Sequence, residues 1–420
     1  MKRQEQFQYR DLIPRDVLAE VQRKLGNMTA IVEVATTCNL ACDYCFASRP
    51  VASIMTPPVV DRIIEALLLN NGKDEETKFI WHGGEPLLAG ISFYEHVLET
   101  QRRFSHEGYR CVNSLQTNGI LLDERWIDFL RDNAFGVGSS LDGLRELHDA
   151  RRRDRQNRPT YDAVVGNLQK AKERGLHIGV ICVINRDTVP HVEAIYENLK
   201  SLDLPFTMSP VTPNHGQTFA AQPLTPEEYT EVLIRLFDAW FDDPQPTVPV
   251  NPPHSILQGI IYGGMPFYCS ADDSCFSKFV SFLPDGSVYP CNRFAGEPSF
   301  LLGNVLEESL GAILSKGPRQ ALMNRTKEKL EPCASCESSP MCRGGCAHHA
   351  FAFYGHIMMP DYYCRSFFKA FSYYRDRLDR ALSEAEINKN KEKSDGTVCD
   401  QQNECHGRTG EGMRKGNQTV

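Results

Sequence analysis

Six short apolar segments, each followed by an amphipathic stretch, occupy residues 31 to 210 and constrain the fold more than any other feature of the chain. Each segment is rich in β-branched or aromatic residues and ends at glycine, asparagine, proline or a polar turn. This alternation predicts a parallel sheet with right-handed helical crossovers. An open sheet and an incomplete barrel both satisfy the pattern, and periodicity alone does not distinguish them. The predicted strands are IVEVAT (31–36), KFIWHGG (78–84), CVNSLQTNG (111–119), FGVGSSLDG (135–143), HIGVICVIN (177–185) and PFTMSP (205–210).

The stretches between the strands have helical spacing. Pro57 and Pro58 suit the first turn of a helix, and Asp123 is a candidate N-cap. After the last strand the sequence predicts a helix near 225–241 between two linkers, of which the second is rich in proline. We therefore divide the chain into an N-terminal extension (1–30), an α/β domain (31–210), a linker with a bridging helix (211–253), a cysteine-rich domain closed by a helix near 365–383 (254–383), and a polar tail with the composition of a disordered segment (384–420).

The overall charge and hydropathy exclude several classes of protein. Fifty-four acidic and 46 basic side chains give a net charge of −8, which argues against a broad nucleic-acid interface. No apolar run is long enough to cross a membrane, so we expect no membrane partner. The polar start MKRQEQFQYR lacks the apolar core of a signal peptide. These features predict a cytoplasmic protein.

Fifteen cysteines are the unusual element of the composition. In a reducing cytosol such a count indicates metal or cluster ligation, and an odd number does not suit a closed set of disulfides. Two classes remain: an iron–sulfur enzyme and a zinc-stabilised protein.

The most specific motif is formed by Cys38, Cys42 and Cys45, directly after the first predicted strand. A loop at this place can arrange three thiolates around one four-iron cluster and leave the fourth iron without a protein ligand. The alternative is a zinc knuckle, for which His82 could supply the fourth ligand.

The segment CNLACDYCF (38–46), with the aromatic Tyr44 just before the third cysteine, resembles the signature of radical S-adenosylmethionine enzymes. The resemblance implies a partial (β/α)6 barrel. It also implies a [4Fe–4S] cluster that chelates the methionine end of S-adenosylmethionine and cleaves it to a radical, which then takes hydrogen from the substrate.

The same resemblance assigns cofactor contacts to polar and glycine residues at the ends of the predicted strands. The Gly83-Gly84-Glu85 segment would hold the methionine amino group, Ser140 would contact the ribose or the methionine end, and Arg152 would pair with the carboxylate. Arg152 belongs to a run of three arginines, for which a solvated face is the alternative. The complete predicted set is His82, Gly83, Gly84, Glu85, Asn118, Ser140 and Arg152.

A second group of eight cysteines resembles the SPASM domain of radical S-adenosylmethionine peptide and protein maturases. Eight thiolates suffice for two fully ligated four-iron clusters, which makes three clusters in all. Such clusters leave no open iron, so we expect them to transfer electrons; the Cys333–Cys336 pair also suits zinc. By order, the resemblance assigns Cys269, Cys275, Cys291 and Cys346 to the first auxiliary cluster, and Cys333, Cys336, Cys342 and Cys364 to the second.

Four cysteines remain without a ligand role. Cys111 and Cys182 lie in strand patterns and are most simply buried apolar residues. Cys399 and Cys405 lie in the polar tail.

This sequence departs from the pattern of sulfatase-maturing enzymes at one catalytic residue. Their pattern has a catalytic aspartate after the third auxiliary-region cysteine, and Asn292 occupies that place here. An amide does not serve as a base, so the catalytic base is not identified. The sequence therefore favours a maturase that abstracts hydrogen from a ribosomally made precursor peptide and forms a side-chain crosslink. The alternatives are formylglycine formation from Cys or Ser, and a non-enzymatic metal-stapled binding protein. Arg293 is either a peptide contact or a surface arginine.

Two kinds of partner follow from this interpretation, a precursor peptide and an electron donor such as flavodoxin or ferredoxin. Only 37 residues precede Cys38, which is too few for a winged-helix module that binds a leader peptide. The stretch 242–268, with its prolines and aromatic residues, is a candidate peptide contact or a bridging linker.

Overall fold

The computed structural model describes residues 28–47, 51–73, 76–262, 269–271 and 275–400. The predicted N-terminal extension before Met28, Phe267 and Tyr268 of the candidate peptide contact, and the tail after Asp400 lie outside the described residues. In the described ranges, no helix is both long and apolar enough to span a membrane.

Six parallel strands form the centre of the molecule, as the alternation predicts. The observed strands differ from the predicted ones only at their ends, and they pair in sequence order. They are β1 (Thr29–Ala35), β2 (Glu76–Gly83), β3 (Arg110–Gln116), β4 (Gly136–Ser140), β5 (Ile178–Ile184) and β6 (Phe206–Pro210). The fold is a mixed α/β structure with a parallel sheet core, as expected for the predicted partial (β/α)6 barrel.

Helices follow the strands and begin at local sequence signals. The Asp123 side chain accepts a hydrogen bond from Trp126 N at 2.9 Å, which confirms the predicted N-cap. The bridging helix begins with a capping box of Thr225 and Glu228. The helices up to this point are α1 (Pro57–Asn71), α2 (Ile91–Ser105), α3 (Glu124–Asp132), α4 (Arg145–Arg151), α5 (Tyr161–Glu173), α6 (Val192–Ser201) and α7 (Pro226–Phe241).

The sheet extends beyond the six predicted strands on both sides. At one edge the end of the predicted second linker forms β7 (Val250–Asn251), which pairs with β6. At the other edge β8 (Phe279–Phe282) pairs parallel with β1, and β9 (Ser287–Tyr289) and β10 (Gly303–Asn304) follow antiparallel. Part of the cysteine-rich region is thus joined to the first sheet by backbone hydrogen bonds.

Short helices complete the cysteine-rich region. They are α8 (Pro253–Tyr262), α9 (Cys275–Lys278), α10 (Leu310–Leu314), α11 (Gly317–Met323), α12 (Glu331–Ala334), α13 (Ser339–Cys342), α14 (Ala347–Tyr354) and α15 (Cys364–Asp400). The sequence predicts disorder from residue 384, but α15 continues to Asp400. The sequence SEAEINKNKEK in that stretch contains many good helix formers, although it has few large apolar residues. The chain divides into two compact units between Ser372 and Tyr373.

The two faces of the central sheet differ in polarity. Along β2, buried residues alternate with more accessible ones: Phe79 and Trp81 are fully buried, and Trp81 packs against Phe93 and Tyr94 of α2. His82 projects from the opposite face of the strand. The helices thus cover an aromatic core on one face, and the other face carries the polar groups of the candidate site.

Candidate active site

The glycine pair after β2 packs directly on the backbone of the first cysteine loop. Gly84 N donates to Ala35 O at 2.6 Å, and Glu85 N donates to Thr37 O at 3.0 Å. A Cβ atom at Gly83 would lie 2.4 Å from Ala35 O, and one at Gly84 would lie 2.2 Å from Thr37 O. Glycine is required at both positions because the two backbones approach so closely.

Glu85 connects the ends of β2 and β3. Its Oε1 accepts hydrogen bonds from Leu87 N at 3.0 Å and from Thr117 Oγ1 at 2.8 Å, while Oε2 accepts from Asn118 N at 2.8 Å. Burial raises the pKa of the Glu85 carboxyl to about 7, although these hydrogen bonds lower it. The structure therefore shows Glu85 as a fully buried anchor of the backbone around the site, whereas its predicted contact with the cofactor stays a prediction.

Asn118 connects the end of β3 to the cysteine loop. Its Nδ2 donates to Asn39 Oδ1 at 2.7 Å and lies 3.6 Å from Cys38 Sγ. The backbone N–H of Leu40 also points at Cys38 Sγ, at 3.4 Å. Two donors thus face the first cysteine sulfur, as suits a thiolate ligand.

The three cysteines of the first motif lie near one another. Burial, with a smaller contribution from the charge of Cys45, raises the pKa of Cys38 to about 11 and that of Cys42 to about 12. None of them is in a disulfide. Thiols in this environment stay protonated until a metal centre binds them and displaces the protons. The loop therefore fits a metal cluster held by three thiolates.

A buried network stands behind the cysteine loop. Tyr44 Oη donates to Asp142 Oδ2, Arg152 Nε donates to the same oxygen at 2.9 Å, and Val183 N donates to Asp142 Oδ1 at 2.9 Å. The Arg152 guanidinium also lies 5.3 Å from the centre of the Tyr44 ring. Arg152 thus already has a carboxylate partner inside the protein. Its terminal nitrogens have no partner among the described residues, and its pairing with the cofactor carboxylate stays a prediction.

The arginine run is not a solvated face. Arg151 pairs with Asp43 at 2.7 Å and also with Asp187. Arg155, which lies two residues after the end of the run, donates from Nε to Cys38 O at 2.6 Å. The segment therefore clamps the cysteine loop from outside by ionic and hydrogen-bond contacts.

His82 and Ser140 lie at the ends of β2 and β4. His82 Nδ1 accepts a hydrogen bond from Gly83 N at 2.7 Å, and burial together with the positive charge of Arg293 lowers its pKa to about 4. The imidazole is neutral at pH 7. The half-buried Ser140 hydroxyl has no hydrogen-bond partner among the described residues, so it is available to a ligand.

Several of the later cysteines lie near other members of their predicted group, while the assignment of the eight to two clusters stays a prediction. Burial is the largest cause that raises the pKa of Cys364 to about 12, and the charges of Cys333, Cys336 and Cys342 add to it. In the other group Cys291 raises the pKa of Cys346, and Cys275 packs against the same apolar cluster as Cys291. Cys269 is exposed.

Zinc was the alternative at both cysteine-rich places, and it requires ligands that converge tightly on one ion. In the part of the chain that the structure describes, no three His, Cys, Asp or Glu side chains form such a group, so the zinc and the iron–sulfur assignments both stay predictions.

Arg293 is not a surface arginine. It is half-buried, its Nη2 donates to Thr212 O at 2.6 Å, and its guanidinium carbon lies 3.9 Å from the centre of the Phe46 ring. Burial lowers its pKa, while the charges of nearby thiols raise it. These thiols are Cys45 of the first motif and Cys269, Cys291 and Cys346 of the first auxiliary group. One side chain therefore lies within electrostatic range of both predicted cluster sites.

Comparison with known proteins agrees with this arrangement. The family model of the Radical SAM superfamily matches residues 32–199, and that of the SPASM iron-sulfur cluster-binding domain matches residues 275–337. The cysteine-type anaerobic sulfatase-maturating enzyme of Clostridium perfringens is 31% identical over 362 residues, which are 83% of this chain and 96% of that enzyme. The chain belongs to the radical S-adenosylmethionine superfamily. It carries a SPASM domain and is homologous to the anaerobic sulfatase-maturating enzymes.

Two further relatives support the same placement of this radical S-adenosylmethionine protein. The serine-type anaerobic sulfatase-maturating enzyme of Klebsiella aerogenes is 27% identical, over 79% of this chain and 82% of that enzyme. A solved structure of native anSMEcpe with bound AdoMet and the Kp18Cys peptide matches with a TM-score of 0.76 and 28% identity, over 85% of this chain and 99% of that one.

Sequence reasoning missed several groups of this radical S-adenosylmethionine site. The contacts of Asp43, Asn39, Arg155 and Asp142 with the cysteine loop were not predicted, because each depends on a residue distant in sequence. Tyr44 was recognised as part of the signature, but its bond to Asp142 was not predicted. Of the cysteines without a ligand role, Cys182 is fully buried as predicted and Cys111 is partly buried. Nothing is described of the Cys399 side chain, and Cys405 lies outside the described residues.

Proposed function

We propose that this protein is an anaerobic maturase that oxidises a cysteine or serine side chain of a sulfatase-type protein to an aldehyde. The observation that carries the proposal is the position of Arg293, which lies within electrostatic range of both predicted cluster sites. The chain that carries Arg293 is homologous over 83% of its length to a cysteine-type sulfatase-maturating enzyme. Asn292 made a crosslinking maturase the favoured interpretation of the sequence, but the relatives favour the alternative. We take a peptide as the substrate because a related structure holds one.

Specific residues are suited to hold the cofactors. Cys38, Cys42 and Cys45 would ligate the cluster that binds S-adenosylmethionine, and the two groups of later cysteines would ligate two auxiliary [4Fe–4S] clusters. S-adenosylmethionine would be contacted by the Gly83–Gly84 pair (the glycine cradle), by the Ser140 hydroxyl and by the terminal nitrogens of Arg152. When bound, these groups supply one-electron chemistry and a radical that abstracts hydrogen. We infer that a small one-electron carrier such as flavodoxin or ferredoxin reduces them.

Hydrogen bonds within the protein connect the residues of this site. Glu85 connects the β2 and β3 ends through three hydrogen bonds, and Asn118 carries that connection to the first cysteine. Asp142 holds Tyr44 and Arg152 behind the loop. Side chains held in this way would need little rearrangement to bind the cofactor and the substrate.

The proton released from the substrate needs an acceptor other than Asn292. Glu33 of β1 is 1% exposed and lies in register with His82 on the adjacent strand, so the two side chains project from the same face. Burial raises the pKa of Cys291, and the negative charge of Glu33 raises it as well. Glu33 therefore lies near Cys291, the residue that precedes Asn292. We assign the proton acceptor to a carboxylate oxygen of Glu33. Loss of one hydrogen atom to the radical, one proton to Glu33 and one further electron to an auxiliary cluster would take a serine side chain to the aldehyde. The same loss would take a cysteine side chain to a thioaldehyde, which water hydrolyses to the aldehyde with release of hydrogen sulfide.

The test uses the full chain after anaerobic reconstitution of its clusters. The enzyme is incubated with S-adenosylmethionine, a reductant, and matched peptides that carry either Cys or Ser at the reactive position. We expect an aldehyde that reacts with a hydrazide probe and is visible by mass spectrometry, with the Cys42→Ala variant as the inactive control. A product that loses two hydrogens without reacting with hydrazide would instead indicate a crosslink. About twelve irons per chain are expected for three clusters.

A further inference from the structure

Arg293 is held by three parts of the chain that are distant in sequence. It follows Cys291 by two residues, donates to Thr212 O beyond β6, and stacks on Phe46, the residue after Cys45. Asn214 supports the same ring segment, because its Nδ2 donates to Phe46 O at 3.2 Å. The guanidinium is therefore fixed in position by the protein.

The charge of Arg293 is not balanced by a carboxylate. It forms no ion pair in the described ranges, and only one of its N–H groups has an acceptor there. A ligand that displaces water from this half-buried guanidinium must supply acceptors for its remaining donors, because leaving them unsatisfied is costly.

A cavity of about 230 Å³ lies beside this guanidinium. His348, which is 2% exposed, and Asn214 contribute to its wall, and His348 Nδ1 and Asn214 Oδ1 are buried atoms without a hydrogen-bond partner. Phe294 and Phe351 supply an apolar part of the wall. The cavity is far larger than one water molecule requires, and its polar groups can both donate and accept hydrogen bonds.

We propose that this cavity is a substrate subsite in which Arg293 donates hydrogen bonds to a main-chain carbonyl oxygen of the peptide, beside the residue to be oxidised. His348 and Asn214 are the polar groups that meet the rest of that peptide unit. The proposal rests on the proposed function, since it takes a peptide as the substrate. Arg293 is a positioning residue that sets where the reacting side chain lies.

The charges around the cavity favour a carbonyl group over a carboxylate. Arg293 lies within electrostatic range of four thiols that become negative when they ligate metal, among them Cys45 and Cys346. Glu297 adds a further carboxylate to the wall. A neutral carbonyl oxygen accepts the hydrogen bonds of Arg293 without bringing another negative charge into this environment.

The first part of the test measures binding without turnover. Fluorescent cysteine peptide is titrated into reconstituted wild-type, Arg293→Lys and Arg293→Met enzyme with S-adenosylmethionine but without reductant. A hydrogen bond to a charged group contributes about 1.5–3 kcal/mol, so we expect Arg293→Met to weaken peptide binding about 10- to 100-fold, with partial recovery in Arg293→Lys. Arg319→Met is the matched control, because Arg319 is also buried in the cysteine-rich region but, among the described residues, bonds only to Phe276 O and Leu314 O.

The second part changes the peptide and needs no enzyme variant. In two analogues, the amide carbonyl on either side of the reactive residue is reduced to methylene. We expect one of the two analogues to bind the wild-type enzyme as weakly as the parent peptide binds Arg293→Met. The same analogue should bind Arg293→Met no more weakly than it binds the wild type.

The proposal is overturned if the affinity losses caused by the analogue and by Arg293→Met multiply when the two changes are combined. It is also overturned if all the enzymes bind the peptide equally, or if affinity depends instead on an acidic side chain of the peptide. Absence of an aldehyde product with intact peptide binding would count against the proposed function alone.

Discussion

Asp142→Asn tests the buried network behind the cysteine loop. Asp142 and Arg152 are 2% and 7% exposed, and their ion pair is the support that holds Tyr44 against the loop. The amide keeps the shape of the side chain but removes its charge, so Arg152 loses its anion and meets an N–H group. Breaking a buried pair in this way costs about 3–5 kcal/mol.

That cost can be expressed as a shift in melting temperature. The compact unit that contains the network ends at Ser372, and at about 2.1 cal/mol/K per residue its unfolding entropy is about 0.8 kcal/mol/K. The variant should therefore melt about 4 to 6 °C below the wild type. The assay is differential scanning fluorimetry of the reconstituted protein, under anaerobic conditions and at one scan rate.

Two further variants make the result decisive. Asp162→Asn breaks the exposed pair with Arg145 and should cause no resolvable shift. The double variant Asp142→Asn/Arg152→Met removes the orphaned charge and should recover part of the loss. The reasoning is refuted if Asp142→Asn melts with the wild type, or if the two substitutions in the double variant are simply additive.

Four other predictions follow from the same site. Because the folded-state pKa of Glu85 is raised to about 7 from 4.5, its contribution to stability is complete below pH 4.5 and falls by about 3 kcal/mol as the pH rises through 7; Glu85→Gln should remove that slope from pH-dependent melting curves. Gly84→Ala places a Cβ against a carbonyl oxygen at 2.2 Å and should lower the iron content after reconstitution, whereas alanine at the unhindered Gly166 should not. Cys42→Ala should abolish cofactor cleavage, and Cys336→Ala should leave cleavage intact while product formation stops, both measured by chromatography of the cleaved cofactor and the peptide. Glu33→Gln should retain cofactor cleavage and peptide affinity but reduce aldehyde formation at least about 100-fold; an unchanged rate would exclude Glu33 as the proton acceptor.

Local signals in the sequence were sufficient for much of the scaffold. The six central strands lie where short apolar runs alternate with helical spacing, and Asp123 caps its helix as its position predicts. The glycines after β2 were singled out as a cofactor contact, and the structure shows their close approach to the backbone of Ala35 and Thr37. The strands and the cap depend on residues within one turn or one strand of each other, so their physics can be read from the sequence.

The boundaries of the cysteine-rich region were less accessible. Its strand β8 pairs with β1 across about 250 residues of chain, and no local pattern specifies which edge of a sheet a short strand will join. The length of α15 also exceeds the prediction, because helix propensity in a polar stretch gives no amphipathic signal.

By itself, the sequence determined the types of chemistry available: the eleven cysteines in ligand spacing, the glycine cradle, and the amide at Asn292 where a related pattern has a carboxylate. The tertiary structure alone decided which charges meet. It paired Arg152 with Asp142, turned an arginine run into a clamp on the cysteine loop, and placed Arg293 between two groups of thiols beside a cavity. The reason is physical, since electrostatic and hydrogen-bond energies depend on distances of a few ångströms between groups that the chain brings together only when it folds.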